Sequence, residues 1–295
     1  MSFGLLGIGE VLWDLLPSGP QLGGAPANFA FHARALGAAA GVISRVGRDQ
    51  NGDRIRERFA AAGFKLGDLQ VDDAAPTGTV TVALGAKGIP QYTIHENVAW
   101  DRLAVTPAAK LAVGTADAIC FGSLGQRTPA ARSTIQSLVA ASPSRAWRVF
   151  DINLRQHYFS RPVIEESLKL ANVLKLNDAE LPVLAGMFAL AGEPAKQSAV
   201  LARQFDLQVV ALTRGAAGSL LWREGAVADG ASAPVEVVDT VGAGDAFTAA
   251  LVMGLLRNLP LPEINAGANE VARFVCSRAG ATPSLPPSLA RRYAG

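Results

Sequence analysis

Short apolar runs alternate with longer amphipathic stretches along most of the chain, and this pattern predicts that strands and helices follow one another. The pattern is most regular after Thr106. There we expect strands at 118–122, 148–153, 173–176, 208–213 and 219–222, and helices at 129–140, 162–171, 178–184 and 195–205. Strands that alternate with helices favour a mostly parallel sheet with helices on both faces. Ligands of such sheets bind beyond the carboxyl ends of the strands, which makes polar residues at those ends candidates for function.

The first third of the chain predicts a second, smaller group of strands. The expected elements are strands at 5–16, 42–46, 77–84 and 91–94, and helices at about 26–35 and 53–62. The last two strands are separated by a turn at Gly85–Gly88 and not by a long helix, so we expect an antiparallel hairpin. Asp14 lies inside the first apolar run, where it either marks an exposed strand edge or reaches a polar ligand.

A glycine-rich stretch, Val241–Asp245, lies between an expected strand at Pro234–Val238 and an expected buried helix at Ala246–Leu256. Glycines let a ligand approach the main chain closely, and the N–H groups and dipole of a helix N-terminus favour an anion there. The aspartate at this position has two interpretations. Asp245 either only caps the helix, or it accepts the proton of an attacking hydroxyl while the turn stabilises a phosphoryl group in transfer.

Composition narrows the choice of function. At 295 residues the chain is long enough for one large α/β domain. A net charge of +2, without Lys/Arg-rich runs, argues against a nucleic-acid or polybasic membrane surface. No apolar stretch reaches the roughly 18 residues of a transmembrane helix, and the start lacks the features of a secretory signal. Cys120 and Cys276 lie in apolar surroundings typical of buried free thiols, which favours a cytoplasmic protein.

Two motifs carry a family resemblance. The string from Asp239 to Asp245, D-T-V-G-A-G-D, resembles the C-terminal signature of the ribokinase (PfkB) family of sugar and nucleoside kinases. The string from Gly23 to Asn28, G-G-A-P-A-N, followed by A-R-A-L-G at 33–37, resembles the N-terminal signature and looks most like the fructokinase branch. The two signatures lie more than 200 residues apart in the expected order, which argues against a chance match.

The resemblance implies a fold. It is an α/β, ribokinase-like unit spanning 1–295, with a mostly parallel central sheet flanked by helices on both faces and a small β-sheet lid over the sugar pocket. The implied core covers about 1–12, 25–74 and 103–295, and the implied lid covers about 13–24 and 75–102. The exposed edge of the lid could pair with a second copy, which would give a homodimer.

The resemblance also implies roles for individual residues. Asp245 would be the general base, helped by the N–H groups of Gly242, Ala243 and Gly244 and by Arg155 near the substrate or the transferred phosphate. The sugar would be held by Asp14, Gly23, Gly24, Asn28, Tyr92 and Arg155, together with Asp245. ATP would lie against Asn177, Glu180, Thr213, Gly215, Gly218 and Asn269, with Glu180 reaching Mg²⁺ through water. A monovalent cation such as K⁺ would bind at Asp239, Val241, Gly280 and Ser284, as in some members.

Simpler interpretations of these motifs stay open. The string from Asp151 to Arg155, D-I-N-L-R, resembles a motif of fructokinase-like members but could also be an ion pair and turn at a strand end. By spacing alone, Asn177–Glu180 is equally a helix N-cap with an acidic first turn, and Thr213–Gly218 is equally a hairpin turn. The G-x-x-x-x-G-K-[ST] motif of Walker-type nucleotide sites is absent, and the three histidines show no metal-ligand spacing.

The expected function is ATP-dependent phosphorylation of a sugar hydroxyl, with fructose as the first choice of substrate. 2-Keto-3-deoxygluconate, ribose and a nucleoside are the alternatives within the enzyme class. A non-catalytic sugar- or nucleotide-binding regulator is the alternative from another class. The expected small-molecule partners are therefore a sugar, ATP and Mg²⁺, with K⁺ as an optional activator.

Overall fold

The computed structural model describes residues 2–17, 19–84 and 90–293. Its strands are β1 (Gly4–Ile8), β2 (Leu12–Leu16), β3 (Gly19–Gly23), β4 (Ala39–Gly47), β5 (Leu69–Asp72), β6 (Gly78–Leu84), β7 (Pro90–Ile94), β8 (Ala118–Phe121), β9 (Trp147–Asp151), β10 (Val173–Asn177), β11 (Val209–Thr213), β12 (Ser219–Arg223) and β13 (Ala226–Gly230). Its α-helices are α1 (Ala25–Ala35), α2 (Gln50–Ala61), α3 (Pro107–Gly114), α4 (Pro129–Ala140), α5 (Arg161–Leu170), α6 (Leu181–Phe188), α7 (Pro194–Phe205), α8 (Ala243–Leu256), α9 (Leu261–Cys276) and α10 (Pro287–Arg291). The turn expected at Gly85–Gly88 lies outside the described residues.

The large sheet has the strand order β13-β12-β11-β10-β9-β8-β1-β4-β5 within the described residues. All neighbours from β11 to β5 pair in parallel, and β12 and β13 add an antiparallel end. The expected mostly parallel sheet with helices on both faces is confirmed. Its parallel arrangement brings the carboxyl ends of β1, β9, β10 and β11 to one edge, where ligands of such sheets bind.

Two apolar clusters fill the two faces of this sheet. Successive side chains of a strand point to opposite faces, and in β9 Val149 packs into one cluster while Phe150 packs into the other. The first cluster holds α1 and α8, with Phe29 and Phe247 each 1% exposed. The second holds α4, α5 and α7. Helix α8 is buried along most of its length because α1 and α9 pack against it, and this fixes the position of its N-terminus.

The small sheet has the order β3-β2-β6-β7, and β6 and β7 form the expected antiparallel hairpin. The prediction of one continuous strand over 5–16 is wrong. The chain leaves the large sheet after β1 and enters the small sheet as β2, with the turn at Gly9. Gly9 has φ 145°, and a Cβ there would lie 3.0 Å from Cγ of Pro26, so the break requires a glycine.

The strand expected at Pro234–Val238 is also wrong, because this segment belongs to neither sheet. Val237 and Val238 are 59% and 60% exposed, and the N–H groups of Val238 and Asp239 donate to the carbonyl of Cys276. Preference for strands reflects how well a side chain fits a pleated, half-buried surface. Here β-branched side chains line an exposed loop instead.

Two further features concern membrane-spanning helices and the two cysteines. In the ranges that the structure describes, no helix is long and apolar enough to span a bilayer. Cys120 is buried, Cys276 is half-buried, and both are free thiols.

Candidate active site

A cleft of about 1210 Å³ opens between the small sheet and the carboxyl ends of the large sheet. Most of the residues proposed from the sequence line it: Asp14, Gly24, Asn28, Tyr92, Arg155, Asn177, Thr213, Gly215, Gly218, Val241, Gly242, Ala243, Gly244, Asp245 and Asn269. The remaining ones, Gly23, Glu180, Asp239, Gly280 and Ser284, are not among the residues that line it. The cleft therefore assembles residues from both ends of the chain.

The glycine turn before α8 lies in the middle of the cleft. Gly242 is the N-cap residue with φ 78°, and a Cβ at this position would lie only 2.2 Å from the carbonyl oxygen of Ala281. The N–H of Ala243 donates to Thr240 at 3.3 Å, whereas those of Gly242 and Gly244 have no hydrogen-bond acceptor in the described part of the chain. Free N–H groups at a helix N-terminus form a site for an anion.

Asp245 follows in the first turn of α8 and is 9% exposed. Its Oδ2 accepts a hydrogen bond of 2.8 Å from Nδ2 of Asn28. Burial, together with the charge of Asp151, raises the pKa of Asp245 to about 6, against the lowering effects of Asn28, Lys175 and Arg155. A carboxylate with such a pKa is ionised at neutral pH yet basic enough to take a proton from a hydroxyl in the transition state.

Lys175 lies beside this turn and was missed by the sequence analysis. Its Nζ forms a buried ion pair of 3.1 Å with Oδ1 of Asp151, whose Oδ2 accepts from Oγ1 of Thr248 at 2.9 Å. Nζ is also 3.0 Å from where a Cβ on Gly244 would lie. Burial lowers the pKa of Lys175, but neighbouring carboxylates outweigh it and leave the pKa raised, so the ammonium is charged. A lysine inside the apolar run V-L-K-L-N was the signal that could have revealed it.

The opposite end of the cleft holds two more carboxyl groups. Burial raises the pKa of Asp14 on β2 to about 6, although the charge of Arg155 lowers it. Burial raises the pKa of Glu10, also missed from the sequence, to about 7. The interpretation of Asp14 as marking an exposed strand edge is wrong, since β2 pairs with β3 on one side and β6 on the other.

Unpaired acceptors mark this end of the cleft. Oε1 of Glu10 accepts from the N–H of Ala25 at 3.3 Å, while Oε2 is buried without a partner in the described structure. Oδ1 of Asn28 is likewise buried without a partner among these residues. Since buried polar groups are nearly always hydrogen-bonded, these oxygens favour a ligand with several hydroxyl donors. Gly23 lies directly behind Asp14, because a Cβ on Gly23 would be 2.3 Å from its Oδ2.

The Asn177–Glu180 segment forms a closed turn after β10. Oε1 and Oε2 of Glu180 accept from the N–H groups of Leu154 and Asn177, both at 2.8 Å, and Oδ1 of Asn177 accepts from Ala179 and Glu180 at 2.9 Å. Helix α6 therefore begins at Leu181, later than the expected 178. In the described ranges, no group of three or more His, Cys, Asp or Glu side chains is arranged to hold a metal ion.

The third part of the cleft contains the other proposed nucleotide contacts. Thr213 ends β11, and a short 3₁₀ turn, Gly215–Ala217, leads to Gly218 with φ 82°. A Cβ on Gly218 would lie 2.0 Å from the carbonyl oxygen of Gly230. Asn269 on α9 donates to Oγ of Ser219 at 2.8 Å. This wall therefore consists mainly of backbone and small side chains, which leaves room for a flat ligand.

Three of the four residues proposed for a monovalent cation are adjacent. The carboxylate of Asp239 accepts from the N–H of Val241 and from the N–H of Gly280, both at 3.0 Å. Ser284 is exposed and makes none of the described hydrogen bonds to Asp239. The Asp239 carboxylate thus ties the segment before the glycine turn to the segment after α9.

Known proteins with similar sequences are carbohydrate kinases. Residues 20–288 match the pfkB family of carbohydrate kinases. The chain is similar to an uncharacterized sugar kinase of Pyrococcus horikoshii, with 30% identity over 95% of this chain and 93% of the relative. A fructokinase of Escherichia coli is 29% identical over 84% of this chain and 83% of the relative.

Solved structures of similar proteins have the same fold as this chain. The Pyrococcus horikoshii protein in complex with ATP is 28% identical and matches 98% of this chain and 100% of its own, with a TM-score of 0.82. A fructokinase of Xylella fastidiosa with bound ATP is 23% identical and matches 99% of this chain and 98% of its own, with a TM-score of 0.86. These matches confirm the ribokinase-like fold expected from the sequence.

Proposed function

This chain belongs to the pfkB family of carbohydrate kinases, and from that premise we propose that it transfers the γ-phosphoryl group of ATP to a hydroxyl of a neutral sugar, with fructose as the first choice. The observation that carries the proposal is the position of Asp245. A buried carboxylate with a pKa of about 6 lies next to the free N–H groups of Gly242 and Gly244. A base beside an anion site is what transfer of a phosphoryl group to a hydroxyl requires.

In the proposed reaction, the sugar hydroxyl attacks the γ-phosphorus of ATP in line with the bond to the leaving oxygen. The new oxygen–phosphorus bond forms as the bond to ADP breaks, and the hydroxyl proton passes to Asp245. The N–H groups of Gly242 and Gly244 stabilise the charge on the group in transfer. The ammonium of Lys175 adds a fixed positive charge beside the same turn.

The proposed nucleotide site is the wall formed by Thr213, Gly215, Gly218 and Asn269, together with Asn177. The similar Pyrococcus horikoshii structure was determined with ATP, which supports ATP as the donor. Mg²⁺ enters such sites mainly on the ATP phosphates and keeps several waters, where it neutralises phosphate charge. Each oxygen of Glu180 accepts one N–H and keeps lone pairs, so this residue could hold a water of the ion.

The charge at the sugar end favours a neutral substrate. Glu10, Asp14 and Asp245 face this part of the cleft. The charge of Arg155 acts on all three, and Lys175, which acts on Asp245, is already paired with Asp151. A sugar acid such as 2-keto-3-deoxygluconate would place a further carboxylate among them, which costs free energy unless cations pair with it. A neutral sugar instead offers hydroxyl donors to the unpaired oxygens of Glu10 and Asn28. The similarity to the Escherichia coli fructokinase supports fructose among neutral sugars.

The test is release of ADP from MgATP in the presence of fructose, ribose, 2-keto-3-deoxygluconate, adenosine or fructose 6-phosphate, with mass-spectrometric identification of the phosphorylated product. We expect fructose to give the highest kcat/KM. The two acidic compounds, 2-keto-3-deoxygluconate and fructose 6-phosphate, should give the lowest. Preference for an acidic compound would contradict the argument from charge. If no compound causes release of ADP but one of them raises the thermal stability of the protein, a binding protein would be favoured.

Three further expectations from the sequence also stay predictions. They are the cytoplasmic location, activation by K⁺ at Asp239, and a homodimer formed through the small sheet, whose edges are β3 and β7. Replacing KCl by NaCl in the same assay tests activation by K⁺. Sedimentation at several protein concentrations tests the homodimer.

A further inference from the structure

His32 is a buried titratable residue that the proposed chemistry does not use. It lies one helical turn after Asn28 on α1 and is 1% exposed. Its Nε2 is 2.9 Å from the carbonyl oxygen of Ala281. Burial lowers the pKa of His32 to about 4, so the imidazole is neutral at physiological pH. Since a carbonyl oxygen can only accept, Nε2 carries the hydrogen and donates it to Ala281.

The carbonyl of Ala281 is also the group that contacts Gly242. A Cβ on Gly242 would lie 2.2 Å from this oxygen and 2.8 Å from the carbonyl carbon, so the carbonyl lies directly against the N-cap of α8. Gly242 adopts φ 78°, which glycine accepts more easily than other residues. Any displacement of the Ala281 carbonyl would therefore change the room available to the glycine turn.

Two residues of α1, one helical turn apart, are thus linked to the start of α8, one directly and the other through Ala281. Asn28 donates directly to Asp245, and His32 holds the Ala281 carbonyl that packs on Gly242. The first contact reaches the proposed base, and the second reaches the proposed anion site. The two sites are held by the same helix.

We infer that His32 is a positioning residue: through Ala281 it holds the N–H groups of Gly242 and Gly244 in register with Asp245. This inference rests on the phosphoryl transfer proposed above and adds a residue that touches neither substrate. It also links sugar binding at Asn28 to the geometry of the anion site, because both depend on how α1 sits against α8.

Packing alone does not account for a histidine here. The surroundings of His32 on α1 include Phe29 and Ala33, which are 1% and 0% exposed. An apolar side chain would fill such a place without the cost of burying two ring nitrogens. Ala281 lies outside helices and strands and is 4% exposed, so its carbonyl needs a donor from a side chain or from water. The imidazole of His32 supplies that donor.

The test compares two variants of His32 with amide side chains that differ only in the length of the side chain. The side-chain nitrogen of Gln lies the same number of bonds from Cα as Nε2 of His, whereas that of Asn is one bond shorter. His32→Gln can keep the donor to Ala281, and His32→Asn cannot. Phe31→Leu is the control for a general loss of stability, since Phe31 packs against Phe59 and Phe64 and makes no hydrogen bond to Ala281 among the described residues.

We expect His32→Asn to lower kcat by about tenfold or more, with KM for sugar and ATP changed less than about threefold. His32→Gln should recover most of kcat, and Phe31→Leu should keep wild-type kcat. Hydrogen exchange measured by mass spectrometry on the unliganded protein should show faster exchange in His32→Asn alone at the amides of Ala243 and Ala246, which donate to the carbonyls of Thr240 and Gly242.

The two readouts separate this inference from the proposed function. If the wild-type protein phosphorylates none of the sugars, the proposed function fails, while the exchange measurement still tests the position of the turn. Wild-type kcat and wild-type exchange in His32→Asn would overturn the inference. Equal losses of kcat in the Gln and Asn variants would overturn it too, because the donor would then be irrelevant.

Discussion

Nδ2 of Asn28 and Oδ2 of Asp245 are 2.8 Å apart, although 217 residues separate them in the sequence. The hydrogen bond joins the buried face of α1 to the first turn of α8. The amide of Asn28 donates to the carboxylate that we propose as the base, while its Oδ1 has no hydrogen-bond partner among the described residues and Asn28 lines the same cleft. Through one side chain, the N-terminal motif therefore orients the proposed base and would offer an acceptor to the proposed sugar.

Asp245→Asn should lower kcat by at least about a hundredfold, because general-base catalysis contributes about 10²–10⁴ in rate. Asn keeps the shape of the side chain but cannot accept the proton. Sugar binding should survive, which isothermal titration calorimetry would measure on the same preparation.

The matched control for this variant is Asp53→Asn, an exposed position in the first turn of α2, which should keep wild-type kcat. Near-normal turnover by Asp245→Asn would assign the base to another residue.

Activity should fall as the pH drops through about 6, because protonated Asp245 cannot act as a base. The amide of Asn28 favours the ionised form of Asp245. Asn28→Leu should therefore move the acid limb of the kcat profile upward, by roughly one pH unit if the hydrogen bond is of ordinary charged strength. An unchanged acid limb in this variant would show that another group controls it. Sugar KM should rise as well, since the variant also loses Oδ1.

Lys175→Met should destabilise the protein by about 3–5 kcal/mol, because it leaves the Asp151 carboxylate buried and uncompensated. The double variant Lys175→Met with Asp151→Leu removes both charges and should regain most of the lost stability, as measured by denaturant unfolding. It should not regain kcat, since the positive charge beside Gly244 is still missing. If stability and kcat recovered together, Lys175 would have only a structural role.

Glu10→Gln should flatten the dependence of stability on pH. Burial raises the pKa of Glu10 from 4.5 to about 7, so the folded protein binds this proton more tightly than the unfolded chain. The contribution is fully present below the unfolded pKa and is lost as the pH rises through the folded pKa, which lowers the free energy of unfolding between about pH 4.5 and 7. The loss amounts to about 3 kcal/mol at most.

Denaturant unfolding at a series of pH values from 5 to 8 would measure this difference between the wild type and Glu10→Gln. Glu57→Gln, an exposed position on α2, is the matched control and should leave the pH profile unchanged. A wild-type slope in Glu10→Gln would mean that Asp14 and Asp245 account for the pH dependence.

The parts of the site that could be predicted from the sequence are those encoded by adjacent residues. The glycines and Asp245 lie within a few positions of one another, and a strand-to-helix arrangement was enough to suggest an anion site. The regular strand and helix pattern after Thr106 was sufficient for the parallel sheet. Both kinds of information are local, and the structure has helices and strands close to the positions expected between 118 and 222.

The parts that could not be predicted depend on partners distant in sequence. Lys175, Glu10 and His32 are each visible as polar residues in apolar runs, but Asp151, Ala25 and Ala281 become their partners only in the folded chain. The break between β1 and β2 was hidden because the apolar residues 5–8 and 11–13 flank Gly9 and Glu10 closely enough to resemble one continuous apolar run. Valines in the 234–238 loop resemble a strand, since nothing in the pattern reveals that no strand lies next to them.

The pairing of α1 with α8 also has a consequence for biosynthesis. A chain emerging from the ribosome presents the Gly23–Asn28 motif more than 200 residues before Asp245. Contacts between such distant segments form late, after much of the intervening chain has collapsed. A chain that terminates before Gly242 would contain the proposed sugar-binding motif without the proposed anion site. Because such products would also lack the proposed base Asp245, we expect them not to consume cellular ATP.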